Sequence, residues 1–386
     1  MIFTLEALNA KHGDSLLLHF GSNDEPQLIL IDGGPRGVFS RTLKPRLDQI
    51  KEVISGDEKL DIRLLMVSHI DDDHIQGIVE LTHQLVELHD EDKPLPYDIS
   101  TIWHNSFDDI IGNKSVKLSS ILESSLANVS AMRVVPSNLG ISIDGALMMA
   151  SVNQGRTLRN NVEKLGLNIN RRPDGLIMAS QSDKDDVSID DNLTLQIIGP
   201  QKNRVVKLQK EWDKELEKLR KKDDSIKRAM AAAFVDNSAY NLASIIVLAR
   251  CGDKKMLLTG DARGDDIIAG LKSKELLKDD PFHVDLFKVP HHGSDRNVTT
   301  DFFREVTADH YVISGDGKHG NPELATLKML SEARGMDEYT IHLTNKEPRL
   351  EEFFNSEKSA GKKYKVRYRE DSKLSIQIDL AEKVDF

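Results

Sequence analysis

The sequence predicts a mixed α/β (α+β) protein with layered sheets. Short apolar runs of strand length recur at both ends of the chain, helical patterns lie between them, and turn residues close nearly every run. Its 386 residues suit one large domain or a few smaller ones. A 39% hydrophobic and 30% charged composition describes a globular chain with ample material for a core. No stretch has the ~20 apolar residues that a membrane helix needs, and the start lacks a secretory layout, so a cytoplasmic protein with no membrane role is expected. One cysteine, Cys251, excludes an internal disulfide and a cysteine-based zinc site. The net charge of −11 argues against a general nucleic-acid coat but leaves local basic patches open.

The first third opens with strands at Ile2 to Leu8, Ser15 to Phe20 and Gln27 to Ile31, closed by Gly13-Asp14, Gly21-Ser22-Asn23-Asp24 and Asp32-Gly33-Gly34. A helix near Arg41 to Ile54 and a buried strand, Ile62 to Val67, follow. The strand runs into a polar knot, Ser68-His69-Ile70-Asp71-Asp72-Asp73-His74, after which Ile75, Ile78, Val79 and Val86 recur at helical spacing.

The middle differs in composition. Residues 154–172 hold five basic side chains against one acid, and residues 201–230 hold eleven against six. Val205, Leu208, Trp212, Leu216, Leu219, Ile226 and Met230 step at helical spacing. Residues 154–233 therefore read as a mostly helical, basic insertion in a single domain spanning 1–386. Strands resume at Ser244 to Ala249 and Lys255 to Leu258, which leads into Thr259-Gly260-Asp261. A helix near Asp265 to Leu277, a strand Val284 to Val289 with Pro290-His291-His292-Gly293 at its end, and a strand Tyr311 to Ser314 come next. The last strands are Thr340 to Leu343, Tyr364 to Tyr368 and Leu374 to Leu380.

The knot is the strongest chemical signal. His69, Asp71, Asp73 and His74 follow directly on an apolar strand, and imidazole and carboxylate groups both bind divalent cations. An acidic N-cap for the next helix is the bland alternative. Capping explains one or two aspartates and neither histidine. Asp32, Asp261 and the pair His291-His292 stand at three further strand ends, so the chain offers a convergent Asp/His site at one sheet edge.

These motifs resemble the metallo-β-lactamase superfamily of dinuclear metal hydrolases, whose usual signature is His-x-His-x-Asp-His with a later bridging Asp and a late His. Here the second histidine is Asp71. That His-x-Asp-x-Asp-His form is similar to the soluble domain of competence DNA-uptake channels of the ComEC type. His12-Gly13-Asp14-Ser15, Ile31-Asp32-Gly33-Gly34, Leu257 to Asp261 and Lys288 to Ser294 match the same branch, over roughly residues 1–100 and 234–386. The resemblance implies an αββα sandwich and two divalent ions, zinc or manganese. It places His69, Asp71 and Asp261 on one ion and Asp73, His74, Asp261 and His291 on the other, with Asp32 bracing the loop. An additional family histidine has no clear match; Asp236 or Asn241 stands in its place, and His104 is a further candidate.

Two ions would activate a bridging water as nucleophile, and Asp73, His292 and His319 complete the expected catalytic set, the histidines protonating a leaving group or holding a phosphate oxygen. No Gly-x-Ser-x-Gly motif is present. The leading expectation is a phosphodiesterase or nuclease, with Arg156, Arg159, Arg171 and Arg172 holding the backbone of DNA or RNA. Hydrolysis of a small ester, thioester or phosphodiester is the alternative. A third reading is an effector subunit gated by a protein partner docked on the helical insertion near Trp212.

Overall fold

The computed structural model describes residues 1–105, 143–170, 175–180, 186–206, 243–384 and 386, with backbone only over 143–153. The chain begins with an antiparallel meander, β1 (Ile2–Leu8), β2 (Leu16–Gly21) and β3 (Pro26–Ile31), followed by α1 (Lys44–Ile54). Next come β4 (Leu60–Ile62), β5 (Leu64–Val67), α2 (Asp72–Asp90), β6 (Tyr97–Ile99), β7 (Ile102–His104) and α3 (Ile143–Lys164). Strands β8 (Asp186–Ser188), β9 (Leu193–Gly199), β10 (Ile246–Cys251) and β11 (Lys254–Leu258) lead to α4 (Gly264–Ser273). The remainder is β12 (Phe282–Lys288), α5 (Thr300–Glu305), β13 (Val306–Ile313), α6 (Leu324–Arg334), β14 (Thr340–Leu343), α7 (Pro348–Ser359), β15 (Lys365–Tyr368) and β16 (Ser375–Asp379).

The expected α/β class holds. One sheet has six strands in the order β16-β1-β2-β3-β5-β7, and the other has eight, running from β15 down to β8 without a break. Alternation along the strands decides the layering. Phe3, Leu5 and Ala7 of β1, with Leu16, Leu18 and Phe20 of β2, share one buried cluster with Leu195, Ile197, Val247 and Met256 of the larger sheet. The opposite faces pack under helices: Leu17, Leu30 and Leu65 meet α1, α2 and α3, while Phe287, Tyr311 and Ile341 meet α4 to α7.

The structure revises one expectation in the first third of the chain. The apolar run ending at Val67 is two strands, because Ile62 pairs with Ile99 in a separate two-stranded sheet whereas Leu64 to Met66 pair with β3. Within residues 154–233 the described part holds the end of a helix and the strands β8 and β9, and residues 207–233 lie outside the described residues. The segment from Gln154 to Lys164 is the end of α3, packed on α2, and β9 is a full partner of β10 in the large sheet. Arg171, Arg172, Trp212, Asp236 and Asn241 lie outside the described residues.

One buried ionic group ties the first sheet to α1. Glu6 accepts from Arg46 Nε at 2.6 Å and faces His19 Nε2 at 2.8 Å. Burial pushes its pKa up, but His19 and Arg46 outweigh that and bring it down to about 2. A carboxylate with a lowered folded pKa stabilises above its ordinary value of 4.5, and that contribution drains away as pH falls from there toward about 2. The contribution is on the order of 3 kcal/mol. Glu6→Gln should therefore cost stability at pH 7 and flatten the acid limb of a urea-midpoint profile. An unchanged acid limb would show that other groups govern it.

Candidate metal centre

Parallel pairing sends the C-terminal ends of β3 and β5 to one edge of the smaller sheet, and those of β11 and β12 to one edge of the larger. The edges are tied together: Ile245 N donates to Ser68 O at 2.8 Å, and His291 N donates to Gly260 O at 3.2 Å. Buried Asp14, His74, Asp261 and His292 bring potential ligand atoms within 4.8 Å of one another, a group that could hold a metal ion.

Asp261 is the centre of the arrangement. Its Oδ1 lies 3.2 Å from His74 Nε2 and 3.6 Å from His292 Nε2. Its Oδ2 lies 3.7 Å from His69 Nε2 and 3.5 Å from His291 Nε2. Asp71 Oδ2 reaches His69 Nε2 at 3.8 Å, and Asp73 Oδ2 reaches His292 Nε2 at 3.3 Å. Of the other five residues expected as ligands, His69, His74 and His291 face Asp261 directly, and Asp71 and Asp73 face histidines that do; His292, not expected as a ligand, also faces Asp261. Asp72 and Asp73 lie in the first turn of α2, where acids favour the helix dipole, whereas Asp71 holds the N-cap position and its side chain accepts no helix N–H. Its carboxylate faces the site instead.

The paired histidines are where the expected geometry changes. An extended dipeptide would send their rings apart. Here the chain turns after Val289, and His291 and His292 take φ of 49° and 54°, the left-handed region that non-glycine residues rarely occupy. Two consecutive residues there cost roughly 1–2 kcal/mol each. The turn lets both rings approach Asp261. His292 is buried, while His291 is 30% exposed and its Nδ1 is 2.8 Å from Asn297 Oδ1.

Buried carboxylates stand behind two of the imidazoles. Asp32 Oδ2 is 2.9 Å from His74 Nδ1, and Asp32 also accepts from Ser68 N at 2.7 Å and from Ser68 Oγ at 2.6 Å. Asp14 Oδ1 is 3.4 Å from His292 Nδ1, and its other oxygen accepts from buried Lys288 Nζ at 2.7 Å. A carboxylate behind one ring nitrogen fixes the tautomer and leaves Nε2 turned into the site. The sequence reading gave Asp14 and Lys288 no role. Their signal was Lys288 at the end of β12, set between the apolar Phe287 and Val289, where a buried charge demands an acid as partner.

The electrostatics fit a cation. Burial opposes charge on His74, yet Asp261, Asp73 and Asp32 raise it well above its ordinary value. Burial likewise opposes charge on His292, but Asp261 and Asp14 raise it to about 10. Burial and the neighbouring carboxylates Asp73 and Asp261 push Asp71 up to about 8. His69, by contrast, is lowered to about 4 by burial and by His74. The upward shifts of His74, His292 and Asp71 share one cause, the carboxylates crowded around them. His69 Nε2 and Asp261 Oδ1, both buried, have no hydrogen-bond partner among the described residues. Imidazole and carboxylate donors with such unmet capacity could hold a metal ion.

Of the remaining expected residues, His319 stands on the loop after β13 with its ring 4.8 Å from that of His12. Arg159 pairs with Glu163 at 3.2 Å on α3. Arg156 lies one turn earlier. Gln154, on the same helix, donates to Asp72 Oδ1 at 2.5 Å and Gln76 Oε1 at 2.6 Å, so this basic helix adjoins the knot. His104 is buried with both ring nitrogens unpartnered among the described residues, and burial lowers its pKa to about 4. Its backbone is held by Asn170.

Glycines permit the close packing of the ligand loops. A Cβ on Gly13 would sit 1.9 Å from Asp73 O, and one on Gly77 would sit 1.9 Å from Gly33 O. Alanine in place of a helical glycine ordinarily stabilises by roughly 0.5–1 kcal/mol. At Gly77 the backbone clash should reverse that sign, costing about 1–3 kcal/mol, and should displace His74. A higher urea midpoint for Gly77→Ala would show that the crossing yields freely.

No known protein family matches the chain. Microtubule-associated protein 1A of Rattus norvegicus, Mus musculus and Homo sapiens is 44% identical to it over 55 residues. That stretch covers 14% of this chain and 2% of each relative, so the chain spans a small fraction of their length.

Proposed function

We propose that this protein is a dinuclear metal-dependent hydrolase of phosphodiesters, with nucleic acid as its substrate. The observation that supports it best is the division of Asp261. Its Oδ1 faces His74 and His292, and its Oδ2 faces His69 and His291. One bridging carboxylate between two donor sets is what a pair of ions requires. On this reading His69, Asp71, His291 and Asp261 would hold one ion, and Asp73, His74, His292 and Asp261 the other. Divalent ions in such a site supply an acidified water and neutralise charge on the attacked group.

The protein's own groups do the rest. Asp32 and Asp14 keep His74 and His292 oriented with Nε2 inward. Asn297 holds His291 through Nδ1 and donates to Asp261 O at 3.0 Å, coupling two ligand loops. His12 and His319, whose rings lie 4.8 Å apart, would hold a phosphate oxygen or return a proton to the leaving alkoxide. Arg156 and Arg159 on α3 favour a phosphate backbone over a small ester, because their helix is bonded to α2 next to the knot.

Plasmid nicking and hydrolysis of a small chromogenic phosphodiester, both with added manganese, test the reading. Cleavage of both substrates, with steep salt dependence for the plasmid alone, is expected. Turnover of the small compound without nicking would replace the nuclease by a small-ester hydrolase.

A further inference from the structure

Apart from the metal centre, the described residues leave one cavity whose lining has a consistent chemistry. It has a volume of about 640 Å³ and lies between α7 and β15, the strand at the open end of the eight-stranded sheet. Glu351, Phe354, Asn355 and Lys358 recur at helical spacing, so one face of α7 forms a wall. Tyr364, Val366 and Tyr368 line the strand side, and Lys362, Lys363 and Lys365 complete the boundary.

The charge there runs against the molecule as a whole. Four lysines meet a single acid, Glu351, in a chain of net charge −11. Lys362 is occupied, donating to Ser331 O and Gly335 O. Lys358, Lys363 and Lys365 are exposed, and none forms an ion pair among the described residues. The aromatic side is ordered: Tyr364 stacks on Tyr339 with centroids 5.0 Å apart and meets the edge of Phe354. The hydroxyls of Tyr364 and Tyr368 are buried and lack a partner among the described residues. Lysine on an edge strand also guards against strand addition. That role accounts for Lys365 but not for Lys358 on the helix, nor for an aromatic cavity between them.

We propose that this cavity binds a nucleotide unit, its phosphate on Lys358, Lys363 and Lys365 and its base against the Phe354–Tyr368 wall. The volume suits one such unit, as small-ligand sites run from roughly 300 to 1,000 Å³. Cationic side chains beside aromatic rings are the general means of holding single-stranded nucleic acid and nucleotides. The site shares no residue with the metal centre, so it does not depend on the hydrolase reading.

The test is fluorescence anisotropy of the full chain with a labelled ten-residue oligothymidylate, in excess EDTA to silence the metal centre. Binding should weaken with salt, and Lys358→Gln/Lys363→Gln/Lys365→Gln should weaken it roughly tenfold or more with an unchanged melting temperature. Competition by free ADP would identify a nucleotide pocket, and competition by unlabelled strand alone would identify a strand-binding groove; either supports the site. Equal binding by parent and triple variant, or no binding by the parent at low salt, overturns it. Self-association of the variant with unchanged binding also overturns it, leaving the lysines as edge guards. Tyr368→Phe, which keeps the ring, serves as a second variant and should weaken binding less than the triple change.

Discussion

Asp261→Ala should leave purified, dialysed protein with essentially no bound divalent ion, where the parent retains close to two. One carboxylate faces both donor sets, so its loss removes a ligand from each at once. Hydrolysis should fall by at least about 10³-fold, the scale on which charge-stabilising groups act in a reaction centre. Asp32→Ala supplies the contrast. Asp32 touches His74 from behind, and a change there should lower metal affinity by about 10- to 100-fold while leaving measurable activity at high metal concentration. Elemental analysis beside activity decides the matter. An Asp261→Ala protein that keeps its metal and its activity would refute the assignment.

The second large effect belongs to stability. Lys288 and Asp14 are each 1% exposed and bonded at 2.7 Å, so Lys288→Met leaves a carboxylate buried without its cation. Removing one partner of such a pair costs roughly 3–5 kcal/mol, because the remaining charge cannot be solvated. Replacing both, as Lys288→Met/Asp14→Leu, should recover most of that loss while still weakening metal binding, since His292 Nδ1 then loses the carboxylate behind it. Urea midpoints of the two single variants and the double variant form a cycle that separates the pair from its surroundings. If Lys288→Met alone unfolds at the parent midpoint, water reaches Asp14 and the pair is not isolated.

Part of the candidate site was legible because aspartates and histidines gather where apolar strands end: His69, Asp71, Asp73 and His74 after β5, Asp261 after β11, and His291-His292 after β12. Choosing among them as ligands rested on the family resemblance. The partners behind them were harder to see. Asp14 precedes an ordinary strand, and Lys288 looks like a tolerated charge until β12 and the loop before β2 are brought together by the fold. The relative placing of His291 and His292 was hidden for another reason. A sequence shows adjacency but not φ, and the left-handed turn reverses what an extended dipeptide would do. The split between Ile62 and Leu64 escaped because a single residue, Arg63, separates strands belonging to different sheets. In the middle of the chain the basic stretch 207–230, which carried the helical reading, lies outside the described residues.

The glycine crossings carry a consequence for how this chemistry could be altered. Asp73 is held through its main-chain oxygen, which accepts from Asp14 N at 3.2 Å, and His74 through its own, which accepts from Gly33 N at 2.7 Å. The frame thus grips the ligand loop by atoms that every amino acid possesses. Side chains at positions 71, 73 and 74 are interchangeable as far as that grip is concerned, so metal preference can drift by single substitutions without a new fold. Gly13, Gly33 and Gly77 have no such latitude, for a methyl group at any of them would meet backbone within 2.4 Å. The evolvable part of the centre is its donors, and the fixed part is three positions that carry no side chain at all.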